Sequence, residues 1–406
     1  MICGKTELCI FDRPYAQVVV DSGSFEDIFP INSISNNNTD IEFLISGSST
    51  EYLDLNDSLL SIQLKVTDKD KKELVAASDV AASNYMFHTL FSDVILSLNG
   101  VKIEGGNGKY TQKAILETIL NYNTDTKKTC LGPMGYGTEA ERKELVKLSK
   151  TFTLCSSLQL DFFDQPKYLI PGVNVHIRLL RNKIEYSLDS VADEPKYQIL
   201  GTKLMVRRVK VELSVLMRNK KKINKKNAVY PVRFKEIIPL AIEKGSTSFY
   251  KEQVFSDRRL PNFILVTFQN ANQYNGSYKD SVSKFDHSNV TSITLMKNTD
   301  FRETYIQDFE NNNYTTSYMQ SIVRNMGYLD KNLNCGIQLS EFKSSYPFFT
   351  FVLAPDFDTN QSQLPQQGNL KLDIKFSKPL IQPTYAIVYG VFEHEVQITA
   401  NKTILV

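Results

Sequence analysis

Several segments of the sequence alternate between apolar and polar residues with a period of two. Successive side chains of a β-strand point to opposite faces of a sheet, so each such segment predicts a strand with one apolar and one polar face. The clearest examples are Leu60–Val66, Val173–Leu179, Val209–Val215 and Leu370–Phe376. Two unbroken apolar segments, Phe263–Phe268 and Ala386–Phe392, predict strands buried on both faces. This pattern is typical of antiparallel β-sandwiches.

Helical patterns are few and lie in the first half of the chain. Tyr110–Tyr122 carries apolar residues at helical spacing, and Thr138–Lys147 opens with a capping box formed by Thr138 and Glu141. A third short helix is expected at Ser83–Phe91. Helices and strands do not alternate, which argues against a parallel α/β fold. The prediction is an all-β chain with a few short inserted helices, in which Asn99-Gly100 forms a tight turn.

Composition narrows the class of protein further. The 406 residues include 24 Phe and 20 Tyr but no Trp, and aromatic residues favour pleated, half-buried surfaces. The net charge is only +2, so any contact with nucleic acid must come from a local basic patch. The five cysteines form no CxxC pair, which predicts reduced thiols. No leader-like segment or long apolar run is present, so we expect a soluble protein made inside the cell, without a membrane span.

The length of the chain predicts two domains. Arg218–Lys226 contains six basic residues and no acidic ones, and it separates two sets of predicted strands. We therefore predict an N-terminal arm (1–24), a first sandwich (25–217), a basic linker (218–229) and a second sandwich (230–406). Each half holds enough predicted strands for one eight-stranded antiparallel sandwich.

Two glycine-rich segments resemble phosphate-binding loops but lack the required context. Gly4-Lys5-Thr6 has no room for the upstream glycine of such a loop, and no strand leads into it. After Gly105–Lys109, Tyr110 occupies the place of the Ser or Thr that would bind Mg²⁺. We interpret the second segment as a loop that precedes a helix.

No group of catalytic or metal-binding residues stands out. The histidines are dispersed, without a second His or Cys at metal-ligand spacing: His88, His176, His287 and His394. Glu393-His394-Glu395 is interpreted as a solvated strand end, because the two glutamates face away from the histidine. Asp161 and Asp164 could be a pair of glycosidase carboxylates, but no other motif supports that chemistry. The sequence therefore predicts no catalytic, metal or cofactor site, and a protein that is not an enzyme.

The basic region around the predicted linker has two interpretations. Ten Lys and Arg residues lie between Lys203 and Lys226, against the single acid Glu212. The region is either a linker kept soluble by its lysines or a patch that neutralises nucleic acid through non-specific, salt-sensitive contacts. The candidate contact residues are Lys220, Lys221, Lys222, Lys225 and Lys226.

Short segments spread over most of the chain match one known family in order and spacing. In the first half they are Tyr52–Leu55, Asn84–Phe91, Leu98–Gly100, Tyr110, Ala114–Tyr122, Asp161–Phe163, Gln165, Pro171–Val173, Ile177–Leu179 and Val206–Val211. In the second half they are Tyr230-Pro231, Arg259–Pro261, Tyr274–Gly276, Ala354–Asp356 and Gly368–Leu372. Together they resemble the double jelly-roll major capsid protein of Polinton/Maverick elements and adintoviruses. Pro171 stands where that family has an Asn, which marks a divergent member.

The resemblance implies a structural role and an assembly. The two sandwiches would be jelly rolls, with residues 25–217 forming the first and residues 230–406 the second. Three subunits would form a pseudo-hexameric capsomer of an icosahedral shell around double-stranded DNA. The partners would be the two other subunits of the trimer, neighbouring capsomers, a minor single jelly-roll penton protein and, through the basic patch, the packaged DNA. The protein would be made in the host cytoplasm, with the nucleus as a candidate place of assembly, and would end in the virion.

Two other classes of function remain open from the sequence. A carbohydrate-binding or carbohydrate-active β-sandwich would need facing carboxylates or exposed stacking aromatic residues, and the lack of Trp counts against it. An adaptor or other non-viral β-sandwich protein would have no turnover and would form no shells. Oligomeric state separates both from the capsid hypothesis, because only a capsid protein is expected to form trimers that assemble further.

Overall fold

A computed structural model describes residues 17–34, 40–76, 78–191, 194–256, 259–298, 301–325, 335–354 and 366–406. This part of the chain is built mainly from antiparallel β-strands, arranged as two sandwiches that follow one another in the sequence. Each sandwich consists of two facing sheets. No helix in the described ranges is long and apolar enough to cross a membrane.

The first sandwich contains eight principal strands. They are β1 (Val20–Ile28), β2 (Ile41–Ile45), β3 (Glu51–Thr67), β4 (Phe91–Leu98), β5 (Val101–Glu104), β6 (Phe152–Ser156), β7 (Val175–Arg181) and β8 (Lys196–Val211). One sheet has the order β1-β8-β3-β6 and the other the order β2-β7-β4-β5. Neighbouring strands are all antiparallel. This exchange of successive strands between two sheets is the jelly-roll connectivity.

The second sandwich repeats the same connectivity. Its strands are β9 (Ala228–Ile242), β10 (Ser248–Lys251), β11 (Phe263–Asn270), β12 (Val290–Lys297), β13 (Phe301–Ile306), β14 (Phe349–Val352), β15 (Leu370–Phe376) and β16 (Thr384–Ile398). The sheet orders are β9-β16-β11-β14 and β10-β15-β12-β13, again with antiparallel neighbours. The strand order therefore matches the first sandwich position by position, although the two halves share no visible sequence repeat.

Helices and minor strands occupy the connections. The helices are α1 (Met86–Thr89), α2 (Tyr110–Asn121), α3 (Thr124–Cys130), α4 (Glu139–Val146), α5 (Leu213–Ile223), α6 (Ala271–Asn275), α7 (Thr315–Tyr318) and α8 (Leu339–Ser344). A π-helical turn, Met319–Arg324, follows α7, and 3-10 turns lie at Gly132–Met134, Lys147–Ser149 and Ile184–Tyr186. Short strands pair Val80–Ala82 with Leu188–Ser190 and Arg259–Leu260 with Gln366–Gln367, while Ile404–Leu405 pairs with the end of β16.

Burial follows the predicted alternation. In β3 the apolar residues Leu60, Ile62, Leu64 and Val66 are fully buried, whereas Gln63 between them is exposed. The unbroken apolar segments form β11 and the first part of β16, which pair with each other inside their sheet and are buried on both faces. One continuous hydrophobic core includes residues of both sandwiches. Phe162 and Tyr230, for example, join the two halves with ring centroids 5.6 Å apart.

Three local predictions from the sequence are confirmed. The helix expected at Tyr110–Tyr122 is α2, and the capping box of Thr138 and Glu141 opens α4. The Asn99-Gly100 turn joins β4 to β5, with φ values of 46° and 80°. Both residues lie in the left-handed region that such a two-residue hairpin turn requires. The helix expected at Ser83–Phe91 is present only as the single turn α1.

Two other local predictions are wrong. The alternating segment Val209–Val215 was predicted as one strand, but β8 ends at Val211 and α5 begins at Leu213. The side chain of Glu212 accepts hydrogen bonds from the backbone N–H groups of Ser214 and Val215, and this N-cap starts the helix. Helices were also predicted only in the first half, yet α6, α7 and α8 lie in the second. Their short length leaves no helical period to detect, so their caps and tertiary contacts determine them.

The predicted domain limits fall close to the break between the two sets of strands. Every principal strand pairs within its own half. The predicted linker 218–229 contains the last turns of α5 and the first residues of β9. In the predicted arm, residues 1–16 lie outside the described ranges, and β1 already begins at Val20. The domain limits themselves stay a prediction.

Candidate interaction sites

Three connections of the first sandwich, residues 46–50, 99–100 and 157–174, are hydrogen-bonded to one another, and the Asn99-Gly100 turn also contacts the C-terminal segment. We call this the short-loop end. Asn99 donates a hydrogen bond from Nδ2 to the backbone oxygen of Lys402 (2.9 Å). The backbone N–H of Asn174 donates to Oδ1 of Asn99 (2.8 Å). Helix α5 lies at the same end, because it connects the last strand of the first sandwich to the first strand of the second.

Helix α5 is held by a small apolar contact and one side-chain hydrogen bond. Leu216 is buried against a separate hydrophobic cluster that includes Tyr52 and Val209. Asn219 donates a hydrogen bond from Nδ2 to the hydroxyl of Tyr52 (3.0 Å). The rest of the helix faces solvent, and Met217 is half exposed. The helix therefore presents its basic last turn on the surface of the short-loop end.

The five lysines predicted to contact nucleic acid lie in and just after the last turn of α5. All of them are exposed: Lys220, Lys221, Lys222, Lys225 and Lys226. Within the described ranges none of them forms an ion pair with a carboxylate. The positive charges at Lys220–Lys222 also suit the negative end of the helix dipole. Their contact with nucleic acid stays a prediction.

A cavity of about 940 Å³ lies beside α5 at the short-loop end. Four of the predicted lysines line it, but Lys221 does not. Lys167, from the loop between β6 and β7, and Lys402, from the segment after β16, complete a set of six lining lysines. Sequence reasoning missed these two, because the fold brings them to α5 from distant positions. Among the described residues that line the cavity there is no aspartate or glutamate.

The glycine-rich loop at Gly105–Lys109 encloses a carboxylate of the protein itself. Oδ2 of the buried Asp93 accepts hydrogen bonds from the backbone N–H groups of Gly106 (2.7 Å) and Gly108 (2.8 Å). Gly105, Gly106 and Gly108 all have positive φ, which turns these N–H groups inward. Asp93 thus occupies the place that a phosphate would take, in agreement with the interpretation as a loop. The segment Gly4–Thr6 lies outside the described residues.

The histidines have separate local environments. Burial lowers the pKa of His88 to about 3, and its Nδ1 lies 3.1 Å from the hydroxyl of Tyr110. His176 lies 3.1 Å from Glu42, and His287 stacks on Phe309 with ring centroids 4.3 Å apart. His394 lies edge-on to Phe234, and the segment around it is not a strand end, because β16 continues to Ile398. In the described part of the chain no three His, Cys, Asp or Glu residues are grouped to hold a metal.

Asp161 and Asp164 belong to a charge cluster between the two sandwiches, in which Asp161 is buried and Asp164 is exposed. Nζ of Lys235, in β9, lies 3.0 Å from Asp164 Oδ2, 3.2 Å from Glu117 Oε1 and 3.5 Å from Asp161 Oδ1. Nζ of Lys113, in α2, lies 2.8 Å from the same Asp161 oxygen. The backbone N–H of Lys235 also donates to Asp161 Oδ2 (3.0 Å). The two aspartates therefore pair with lysines and do not face each other across an open cleft.

Glu104 completes this cluster, which contains four carboxylates and two ammonium groups. Its Oε1 pairs with Nζ of Lys113 at 2.5 Å. Burial raises the pKa of Glu117 to about 7, although Lys235 and Lys113 oppose the shift. Burial also disfavours the charge of Lys235, but Glu117 and Asp161 outweigh it, and the pKa of Lys235 rises well above its ordinary value. At neutral pH both lysines are therefore charged, and Glu117 is partly protonated.

Comparison with known proteins defines the fold of the chain. No family model matches the sequence. The sequence is 23% identical over 380 residues to an uncharacterized protein of Caenorhabditis elegans, an alignment that covers 87% of this chain and 89% of the relative.

Solved structures match nearly the whole chain. A chain of the Sputnik virophage aligns with a TM-score of 0.62 and 12% identity, over 100% of this chain and 92% of its own. The Faustovirus major capsid protein aligns with a TM-score of 0.62 and 9% identity, over 97% of this chain and 93% of its own. The mavirus major capsid protein aligns with a TM-score of 0.55 and 12% identity, over 99% of this chain and 93% of its own. The chain thus has the double jelly-roll fold, and its structural neighbours are viral major capsid proteins.

Proposed function

We propose that this protein is a major capsid protein with a structural and not an enzymatic role. The observation that carries the proposal is the repeated eight-strand order in two consecutive sandwiches, matched over nearly the whole chain by viral major capsid proteins. The glycine-rich loop Gly105–Lys109 encloses the carboxylate of Asp93, and the candidate carboxylates Asp161 and Asp164 pair with lysines. These contacts support a function that the protein performs through its surface.

We further propose that three subunits form a pseudo-hexameric capsomer. Two sandwiches per subunit give six in a trimer, which is the number that a hexagonal outline needs. The shared core and the charge cluster join the two sandwiches of a subunit, which supports counting them together as one building unit. Capsomers of this kind would assemble into an icosahedral shell around double-stranded DNA, with a minor single jelly-roll protein at the pentameric vertices.

The proposed origin is a Polinton/Maverick element or an adintovirus. The segments quoted from the sequence support it, and so does the relative from Caenorhabditis elegans, because an integrated element places a capsid gene in an animal genome. The protein would be made in the host cytoplasm, assembled in the nucleus and found in the virion. The five lysines of α5 and the segment after it would face inward and contact the packaged DNA without sequence specificity.

Light scattering on purified full-length protein tests the proposal. We expect a trimer, and negative-stain microscopy should show particles with a hexagonal outline or closed shells. A stable monomer at micromolar concentration would contradict the capsid function. The carbohydrate-binding alternative gains no support from the described residues, because Asp161 is buried and both aspartates that suggested it pair with lysines.

A further inference from the structure

The cavity at the short-loop end is lined by lysines, and among the described residues that line it there is no carboxylate to balance their charge. Its six lysines come from three parts of the chain: Lys167, Lys220, Lys222, Lys225, Lys226 and Lys402. The cluster between the sandwiches shows the opposite arrangement, since Lys113 and Lys235 there are surrounded by carboxylates. Collecting ammonium groups around a concave surface costs free energy unless an anion accompanies them.

Lys402 shows this crowding most clearly. Its side chain is half-buried, and burial together with the positive charge of Lys220 lowers its pKa. Its backbone is held in place by two contacts: its N–H donates to the oxygen of Thr399 (3.0 Å), and its own oxygen accepts from Asn99 (2.9 Å). The fold therefore fixes the backbone of this lysine beside the cavity that its half-buried side chain lines.

The other lining groups suit an oxyanion. Asn219, Asn224, Asn227 and Tyr52 also line the cavity. Amides and hydroxyls can donate hydrogen bonds to phosphate oxygens beside the charge-assisted bonds of the lysines. A volume of about 940 Å³ accommodates several linked phosphate groups.

We propose that this cavity is a binding site for a phosphorylated polyanion, held jointly by lysines of α5 and by Lys402. Such a ligand bridges the two sandwiches, because α5 follows the first and Lys402 follows the last strand of the second. The phosphates come either from the backbone of packaged nucleic acid or from a free polyphosphate. Phosphate binding at this site goes beyond the proposed capsid function. Only packaged nucleic acid, as the source of the phosphates, rests on that function.

Isothermal titration calorimetry of the full chain with inorganic tripolyphosphate tests the site. The variants are Lys402→Gln and Lys222→Gln, which each remove one lining charge. The matched control is Lys128→Gln, which removes the same charge from an exposed lysine in the last turn of α3, outside the lining. We expect each lining variant to bind tripolyphosphate about tenfold more weakly, because each loses one charge-assisted hydrogen bond to it. The control keeps wild-type affinity. Lys222 is exposed in the last turn of α5, so its variant folds even if Lys402→Gln does not.

A parallel titration with a short DNA duplex identifies the source of the phosphates. Duplex affinity that falls in Lys222→Gln but not in Lys128→Gln assigns the site to nucleic acid, and duplex affinity that changes equally in both assigns it to a free polyphosphate. Equal weakening of tripolyphosphate binding in Lys128→Gln and Lys222→Gln overturns the proposal, as does unchanged binding in both lining variants. Light scattering on the same samples separates the two proposals. A trimer that does not bind tripolyphosphate contradicts only the proposed binding site, and a monomer that binds it contradicts only the proposed capsid function.

Discussion

Nζ of Lys235, on the strand that opens the second sandwich, lies 3.2 Å from Oε1 of Glu117, on a helix inserted into the first. Both side chains are almost completely buried, and two aspartates of the first sandwich surround the same ammonium. A buried ion pair contributes little net stability when it forms, because desolvation offsets the Coulombic attraction. Loss of one partner is costly, however, since it leaves a buried charge without a counter-charge. The stability of each sandwich therefore depends on its packing against the other.

Replacing Lys235 by Met is expected to lower the free energy of unfolding by about 3–5 kcal/mol. The substitution leaves Glu117, Asp161 and Asp164 without the ammonium that balances them. Urea unfolding followed by circular dichroism measures the change. The matched control is Lys371→Met, which breaks the surface pair with Glu252 and should cost at most about 1 kcal/mol. Equal effects of the two substitutions would show that the cluster between the sandwiches is not important for stability.

Stability should fall as the pH rises from about 4.5 to above 7. Burial raises the pKa of Glu117 to about 7, above the ordinary value that it regains on unfolding. The folded state therefore binds the proton more tightly in this range, and its stabilisation is lost as Glu117 ionises. The contribution is roughly 3 kcal/mol across the range. Glu104, whose pKa burial also raises, acts in the same direction, while Asp164, whose pKa is lowered because Lys235 outweighs its burial, acts in the opposite direction at lower pH.

Glu117→Gln tests this pH dependence, because glutamine keeps the shape of the side chain and does not titrate. The variant should lose most of the decrease in unfolding free energy between pH 5 and pH 8, as measured by urea titrations at several pH values. Glu73→Gln, at an exposed position outside the cluster, should keep the wild-type slope. If Glu117→Gln retained that slope, the titrating group would have to be sought elsewhere.

The strands could be predicted from the sequence because their burial depends on local alternation. Leu60–Val66 and Leu370–Phe376 show that pattern, and each is a strand with one buried face. Val209–Val215 shows it equally well, but the carboxylate of Glu212 caps a helix in its middle. Alternation alone does not reveal such a cap, because the competing hydrogen bonds involve single polar side chains.

The charge cluster and the lysine cavity could not be predicted, because their members are brought together only by the packing of the two sandwiches. Lys235 occupies a polar position of an alternating strand, which normally faces water. Here that face lies against α2 and Asp161, so the residue is buried. Lys402 likewise lies far from α5 in sequence. The five lysines found from the sequence were found because they are adjacent in the chain.

Asp93→Ala is expected to destabilise the protein by about 1–3 kcal/mol. The substitution removes the acceptor for the backbone N–H groups of Gly106 and Gly108, which hold the loop closed before α2. Asp93→Asn is the matched variant, since it keeps one acceptor oxygen and should lose less. Thermal unfolding measures both. A protein with alanine at this position that is as stable as the wild type would mean that water replaces the carboxylate without cost.

The edge strand β1 is where we expect trimer contacts to be most sensitive. It forms one edge of its sheet; Phe25, within the strand, and Phe29, just after it, are 59% and 64% exposed. An edge strand with exposed aromatic side chains invites pairing with another chain unless an assembly covers it. Burying one such ring contributes roughly 2 kcal/mol, or about thirtyfold in association. A Phe25→Lys/Phe29→Lys double variant should therefore dissociate into folded monomers at concentrations where the wild type is trimeric.

Light scattering over a dilution series measures this dissociation, and circular dichroism confirms that the monomers stay folded. Val75→Lys is the matched control: it also replaces an exposed apolar residue by lysine, but it lies in the loop between β3 and β4 and not on the edge strand. The trimer of the Val75→Lys control should dissociate over the same concentration range as the wild-type trimer. A double variant that stays trimeric over the whole series would place the subunit contacts on another face of the sandwiches.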